Sequence, residues 1–181
     1  MFGKKAVVAR RAAVIVALGA MLSTIGAVET AAPALARGDG WQFQPAPPAI
    51  ILPATFCGFE VQITFPVGRE YAKILTASDG FVTTLVTGSS FASVTNLETG
   101  KTVTENISGP AKETVNLDGP MTTTATGLNP IALTPADAAR FGLPTLGVTA
   151  GARTLSVAAD GSITSLTLDG RVVVDLCAAL S

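Results

Sequence analysis

Hydrophobic and polar residues alternate over most of the chain that follows residue 56. In "CGFEVQITF", Cys57, Phe59, Val61, Ile63 and Phe65 fall on one side, and the polar residues between them fall on the other. A period of two residues is typical of a β-strand with one buried face. The segment therefore predicts a half-buried strand that includes Cys57.

Nine further runs have a β-type composition and recur about every ten residues, separated in most cases by Gly, Asp-Gly or Gly-Pro. They are EYAKILTA, GFVTTLVTG, FASVTNLE, KTVTENISG, KETVNLD, MTTTATGL, ARTLSVAAD, SITSLTLDG and RVVVDLC. Many short strands at this spacing are typical of an all-β fold rather than of alternating strands and helices. We therefore predict an antiparallel β-sandwich of immunoglobulin-like architecture, or a barrel.

One segment, "TPADAARFG", has helix signals instead. Thr134 is a capping residue type, Pro135 suits the first position of a helix, and Gly142 suits its end. We expect one short helix of one or two turns here.

Four Asp-Gly pairs separate strand-like runs. Asp-Gly adopts the positive φ of a tight hairpin turn, and no pair carries the alternating oxygen ligands of an EF-hand calcium loop. We predict a hairpin turn at each pair, so that "ADGSITSLTLDGRVVVDLC" forms a turn, a strand, a second turn and the final strand. The pairs are Asp79–Gly80, Asp118–Gly119, Asp160–Gly161 and Asp169–Gly170.

Residues 1–36 have the pattern of a signal peptide. Basic residues at 4, 5, 10 and 11 precede an apolar run from 12 to 28, and Ala34, Leu35 and Ala36 form a signal-peptidase site. We expect cleavage after Ala36 and a secreted, extracellular protein, with a retained membrane anchor as the alternative. The paired arginines leave both the general secretory and the twin-arginine route open.

Residues 37–55, "RGDGWQFQPAPPAIILPAT", are rich in proline and predict an extended arm ahead of a β-sandwich domain at 56–181. Trp41 and Phe43 of this arm, with Tyr71 and Phe81 of the domain, are candidate ligand-facing aromatic residues. The alternative is that all four pack in the core or on the arm.

Cys57 and Cys177 are the only cysteines and permit one intramolecular disulfide. In an exported chain such a pair is expected to be oxidised, and the bond would join the first strand of the domain to the last. Closure of so long a loop contributes about 5 kcal/mol in the chain-entropy treatment. A redox pair or an intermolecular bridge is the alternative, but the chain has no Cys-x-x-Cys spacing.

Net charge argues against two classes of partner. Residues 1–36 hold four of the 12 basic and one of the 13 acidic residues, so the remaining chain has a net charge of −4. Nucleic acid and anionic membrane surfaces repel such a chain, and it has no basic run. We expect no nucleic-acid partner and no stable membrane insertion after cleavage.

The chain contains no histidine, which excludes Ser-His-Asp and Cys-His catalysis and histidine metal sites. With both cysteines paired, no thiol remains, and we predict no metal, no cofactor and no enzymatic activity. Hydrolysis by two carboxylates across a cleft is the catalytic alternative that survives. Its candidates are Glu60, Glu70, Asp79, Glu98, Glu105 and Asp175.

Asp175 lies two residues before Cys177, and strict alternation would turn both side chains toward the core. A buried carboxylate needs a partner, so we predict a buried ion pair at Asp175. Its candidate partners are Arg69, Arg153 and Arg171.

The segments "FCGFEVQITF" and "GRVVVDLC", behind an alanine-rich leader, give the chain a resemblance to uncharacterised small secreted proteins of actinobacteria. The resemblance covers most of the domain and rests on the FCGF…DLC cysteine framework and on strand patterns. That group has no assigned activity, so the resemblance carries over no functional residue.

Taken together, these features favour a non-catalytic extracellular β-sandwich that binds a surface, with a cell-envelope glycan or a secreted protein as its partner. A carboxylate-dependent, glycosidase-like hydrolase is one alternative, and it requires an acidic pair facing a cleft. An extracellular inhibitor or signalling protein is another, and it requires an exposed, mobile segment from Leu128 to Thr145.

Overall fold

Over the residues that the structure describes, the strand-like runs pair into one antiparallel sheet of ten strands, accompanied by two short helices. The computed structural model describes residues 40–76, 81–116 and 120–181. The strands are β1 (Gln42–Gln44), β2 (Ile50–Leu52), β3 (Val61–Thr76), β4 (Phe81–Asn96), β5 (Thr102–Asn106), β6 (Ala111–Asn116), β7 (Met121–Ala125), β8 (Leu128–Ala132), β9 (Leu146–Val157) and β10 (Ile163–Asp175); the helices are α1 (Pro135–Phe141) and α2 (Leu176–Leu180). The predicted all-β antiparallel class is confirmed.

Four of the shorter strands combine into two long ones. β5 and β6 pair with β4 in a single register and so continue one another, and β7 and β8 continue one another along β9 in the same way. The sheet is therefore a meander of six long strands, each paired with its neighbour in sequence. This connectivity differs from the Greek key of immunoglobulin domains.

The meander has two ends of different construction. At the single-sheet end, one continuous layer contains β1, β6 and β7 together with the adjoining halves of β3, β4, β9 and β10. At the sandwich end, β2 and β5 extend one layer with β3 and β4, while β8 extends another with β9 and β10. Val61 and Val94 of the first layer share a core with Leu146 and Val148 of the second.

Glycines stand where the long strands pass from one end to the other. Gly88 in β4 has a φ of 144° and Gly151 in β9 a φ of 118°, values that L side chains rarely adopt. On β10, a Cβ at Gly170 would collide with the carbonyl oxygen of Ala150. The predicted hairpin at Asp169–Gly170 is therefore wrong, because β10 continues through both residues and Gly170 permits the close approach of β9.

The turn predicted at Asp160–Gly161 is confirmed, since it joins β9 to β10. Gly161 has a φ of 87°, and the Asp160 carboxylate accepts hydrogen bonds from the Ser162 amide and hydroxyl. These hydrogen bonds lower the pKa of the exposed Asp160. The pairs Asp79–Gly80 and Asp118–Gly119 lie outside the described residues.

The core of the sandwich end is apolar and is closed covalently. Leu52 on β2 and Leu180 on α2 have no exposed surface. Cys57 and Cys177 form the predicted disulfide, with a Cα–Cα distance of 5.1 Å. Neither cysteine lies within a strand, in contrast to the predicted strand from Cys57 to Phe65: Cys57 lies in the turn before β3, which begins at Val61, and Cys177 lies on α2. The bond therefore ties the entrance of the meander to the helix that follows its last strand.

Asp175 does not face the core, and the buried ion pair predicted for it is not formed. A bulge between Val172 and Val174 interrupts the alternation of β10, which then ends at Asp175. The Asp175 side chain is exposed, and its carboxylate accepts a hydrogen bond of 3.1 Å from the Ala178 amide. The residue thus caps α2, a helix that the strand pattern did not predict.

The predicted short helix is present as α1. The Thr134 hydroxyl accepts a hydrogen bond of 3.1 Å from the Asp137 amide, and Gly142 ends the helix at a φ of 65°. Both capping predictions are therefore confirmed.

The segment around α1 packs on the inner face of β9 and β10. Leu133 and Ala138 are buried, and the Arg140 guanidinium donates hydrogen bonds to the carbonyl oxygens of Ile163 and Thr164. These bonds fix α1 to the beginning of β10.

The described part of the proline-rich arm, residues 40–55, pairs with the sheet through two short strands. β1 pairs with residues 70–72 of β3 and β2 with residues 61–63. Prolines at 45, 47, 48 and 53 flank these strands, and each strand is only three residues long. Because proline lacks the backbone N–H that a ladder needs, the arm forms short segments at the sheet edge.

Candidate functional site

Four aromatic side chains are exposed on the outer face of the single-sheet end, three of them at the β1 edge and the fourth on β4. Trp41 precedes β1, Phe43 lies within it, Tyr71 lies on β3, and Phe81 begins β4. Their exposed fractions are 50%, 55%, 44% and 39%. They are the four residues predicted as candidate ligand contacts, and we name them the aromatic patch.

Phe43 and Tyr71 form the centre of the aromatic patch. They are cross-strand neighbours whose ring centroids lie 5.8 Å apart with an interplanar angle of 70°. This edge-to-face geometry is favourable for two aromatic rings. The contact orients both rings while a large part of each side chain remains open to solvent.

The polarity of β1 is the reverse of what folding alone favours. Phe43 faces solvent, whereas Gln42 is half-buried and Gln44 is buried. Full burial of a phenylalanine side chain contributes roughly 1.5–3 kcal/mol, and with Phe43 55% exposed β1 forgoes about half of it. A cluster of exposed aromatic residues beside such a strand is typical of an interaction surface.

A row of hydroxyl side chains crosses the same outer face from β4 to β10. It consists of Thr83, Thr114, Thr122, Ser156 and Ser165, which are consecutive partners in the sheet register. The hydroxyl oxygens are 3.2 Å apart between Thr83 and Thr114 and 3.4 Å apart between Thr122 and Ser156. Because hydroxyls both donate and accept hydrogen bonds, this row can bind the polar groups of a ligand beside the aromatic patch.

The inner face of the single-sheet end buries a row of polar residues that the sequence analysis missed. Thr84, Glu113 and Thr123 lie opposite one another on β4, β6 and β7, and all three are buried. Among the described residues, Glu113 Oε1 and Thr123 Oγ1 have no hydrogen-bond partner. Burial raises the pKa of Glu113 to about 7, so this carboxyl exchanges its proton near neutrality.

Arg153 lies on the same inner face of β9, two residues before Leu155, which is the cross-strand partner of Thr123. It is buried, and its Nη1 donates a hydrogen bond of 2.7 Å to the Pro130 carbonyl oxygen. Burial lowers the pKa of Arg153 to about 10, so the guanidinium remains charged at neutral pH. The other predicted arginine partners of Asp175, Arg69 and Arg171, are exposed.

An apolar cleft opens between the two layers of the sandwich end. Ile63 and Val94 line one side of it, Ile131 and Leu146 line the other, and Glu105 is the only acidic lining residue among those that the structure describes. Within that part of the chain, the cleft does not contain the carboxylate pair that a hydrolase needs. Of the other acids considered for that pair, Glu60, Glu98 and Asp175 are exposed, Glu70 is half-buried with a pKa raised by burial, and Asp79 lies outside the described residues.

The segment from Leu128 to Thr145 is not a free loop. It contains β8 and α1, and Ile131, Leu133 and Ala138 are buried within it. The segment is therefore held in the fold as a strand and a helix, and the exposed side of α1 includes Ala136 and Ala139.

No protein-family model, curated protein or solved structure matches the chain. Within residues 40–76, 81–116 and 120–181, no three Cys, Asp or Glu side chains are grouped so as to hold a metal ion. The same ranges contain no helix with the length and hydropathy to span a membrane.

Proposed function

We propose that this protein is a secreted, non-catalytic binding module that holds a glycan of the cell envelope on its aromatic patch. The observation that carries the proposal is the inverted polarity of β1, which turns Phe43 outward beside the exposed Tyr71. Export is inferred from the signal-peptide pattern of residues 1–36, and the disulfide is compatible with an oxidising compartment.

The chemistry of this outer face matches both parts of a sugar. The C–H faces of a pyranose ring are apolar and pack on aromatic rings, while its hydroxyl groups pair with other hydroxyls. The sheet register places Tyr71 and Phe81 about six residues apart along the strands, which is roughly 20 Å. A patch of this length fits an extended oligosaccharide better than a single sugar.

Co-sedimentation with washed cell walls and with a panel of insoluble polysaccharides tests the proposal. Saturable binding that soluble glycan competes away is expected for the natural protein. Phe43→Ala and Tyr71→Ala are each expected to weaken it about tenfold, the effect of removing a central contact residue. Leu97→Ala is the matched control, because Leu97 is an exposed apolar residue that follows β4 at the sandwich end.

Two outcomes would contradict the proposal. One is a complete lack of saturable binding to every wall and polysaccharide preparation, which would direct the search to a secreted protein partner. The other is binding that survives the combined removal of Trp41, Phe43 and Tyr71, since the glycan would then lie elsewhere on the molecule.

A further inference from the structure

β10 is a long edge strand with an exposed outer side. It is the last strand in the sheet order, it pairs with β9, and it spans 13 residues. All residues from 169 to 173 are exposed, including the apolar Val172 and Val173. A long edge with free backbone N–H and C=O groups and exposed apolar side chains is a template for pairing with another strand.

The other edges of the described sheet are short. β1 and β2 have three residues each, β5 has five, and β8 has five with Pro130 in its middle. At the beginning of β10 itself, Arg140 occupies the carbonyl oxygens of Ile163 and Thr164. The long free edge therefore begins after Thr164 and continues to the end of β10.

The sequence of this edge is complementary to itself. If two β10 strands pair antiparallel about Gly170, Asp169 of one copy lies opposite Arg171 of the other, and the two-fold axis repeats the pair. Leu168 then lies opposite Val172, again twice. Opposite charges and aliphatic side chains in directly opposed positions stabilise an antiparallel pair.

The placement of these charges favours pairing with a second copy over protection of the edge. Proteins that keep an edge strand unpaired place charges on it, most often lysine, so that an approaching copy meets repulsion. Here Asp169 and Arg171 have opposite signs and flank Gly170 symmetrically, which makes antiparallel self-pairing attractive. The backbone at the centre carries no side chain that would obstruct it.

We propose that β10 is a dimerisation strand, through which two copies of this chain pair antiparallel about Gly170 and form one continuous sheet. The interface is isologous, as expected for a two-fold dimer. Since β1 lies at the opposite side of the sheet from β10, the dimer carries one aromatic patch at each outer edge. If the aromatic patch binds a surface as proposed, the dimer binds it bivalently and gains avidity.

Sedimentation equilibrium of the naturally processed protein over a wide concentration range tests this proposal. A reversible monomer–dimer equilibrium is expected. Arg171→Asp replaces both opposite-charge pairs of the dimer by pairs of carboxylates. It is therefore expected to raise the dimer Kd about tenfold or more. The charge-swapped variant Asp169→Arg with Arg171→Asp restores both attractions and is expected to return the Kd to the natural range.

Lys112→Asp is the matched control, because it makes the same change of charge at an exposed position of β6, away from the edge. Its Kd is expected to remain unchanged. A natural protein that is monomeric at every concentration overturns the proposal, as does a dimer that is insensitive to Arg171→Asp. A charge-swapped variant that fails to dimerise also overturns it, and so does a monomer that pairs this edge only with a different protein.

Discussion

The sandwich end and the single-sheet end are built from the same six long strands, yet they bury different chemistry. At the sandwich end, two layers enclose an apolar core that includes Leu52 and Leu180. At the single-sheet end, the buried inner face includes Glu113, Thr123 and Arg153. Where β4 passes Gly88 and β9 passes Gly151, each strand therefore runs from an apolar environment into one that contains ionisable groups.

This difference indicates where the fold obtains its stability. Burial of apolar side chains is favourable, whereas burial of a carboxyl or guanidinium carries a desolvation cost that raises the pKa of Glu113 and lowers that of Arg153. The sandwich end, which also holds the disulfide, is expected to carry most of the stability. The single-sheet end is expected to make stability depend on pH.

Breaking the disulfide is the strongest perturbation of the sandwich end. Replacing both Cys57 and Cys177 by serine removes a bond between residues 120 positions apart. The chain-entropy treatment predicts a loss of about 5 kcal/mol in the free energy of unfolding. Denaturant unfolding measures it, and the reduced natural protein should match the double variant. An unchanged unfolding midpoint would contradict this account of the sandwich end.

Glu113→Gln perturbs the single-sheet end. Because the folded-state pKa is about 7 and the ordinary value is 4.5, the folded protein binds this proton more tightly than the unfolded chain. The protonated Glu113 therefore contributes its whole share of the free energy of unfolding below pH 4.5. This contribution, about 3 kcal/mol in total, is lost as the pH rises to about 7. The variant should lack this decline in denaturant unfolding measured from pH 4 to 8.

Glu98→Gln serves as the control for that comparison, because Glu98 is exposed. Its unfolding free energy should follow the natural protein across the same pH range. Parallel pH profiles for the natural protein and Glu113→Gln would show that Glu113 is solvated in solution, and the contrast between the two ends would then weaken.

Asp175→Ala should have the smallest effect and distinguishes two roles for this carboxylate. Loss of a helix cap costs about 1 kcal/mol, whereas breaking a buried ion pair costs about 3–5 kcal/mol. We expect the smaller loss of unfolding free energy, and Asp175→Asn should retain most of the stability because asparagine also caps helices well. A loss of about 3–5 kcal/mol would instead support the buried ion pair that strand alternation predicted at Asp175.

Features that depend on local chemistry were predictable from the sequence. The limits of α1 follow from Thr134 and Gly142, whose capping roles need only their immediate neighbours. The disulfide follows from the count of cysteines, and the strand-like segments follow from alternation. All of these use information that lies within a few residues or in the composition.

Features that depend on distant neighbours were not predictable. Asp169–Gly170 has the composition of a hairpin turn, and only the backbone at Ala150 shows that Gly170 serves close packing. Alternation in "KETVNLD" places Glu113 on one face with Val115, but it does not tell which face the sheet turns inward. The bulge that redirects Asp175 likewise arises from pairing with β9.

The disulfide also determines how the molecule carries mechanical load. Tension applied to the two ends of the chain passes from Cys57 to Cys177 through the sulfur bridge, so the backbone from β3 to β10 cannot be pulled out between them. The 120-residue loop that stays shielded would otherwise release about 400 Å of extended chain. The loaded parts of the described chain are the arm and the residues of α2 after Cys177, and β1 and β2 of the arm peel away from β3. Because the arm carries Trp41 and Phe43, pulling on the N-terminal side takes the aromatic patch apart before any long strand unpairs.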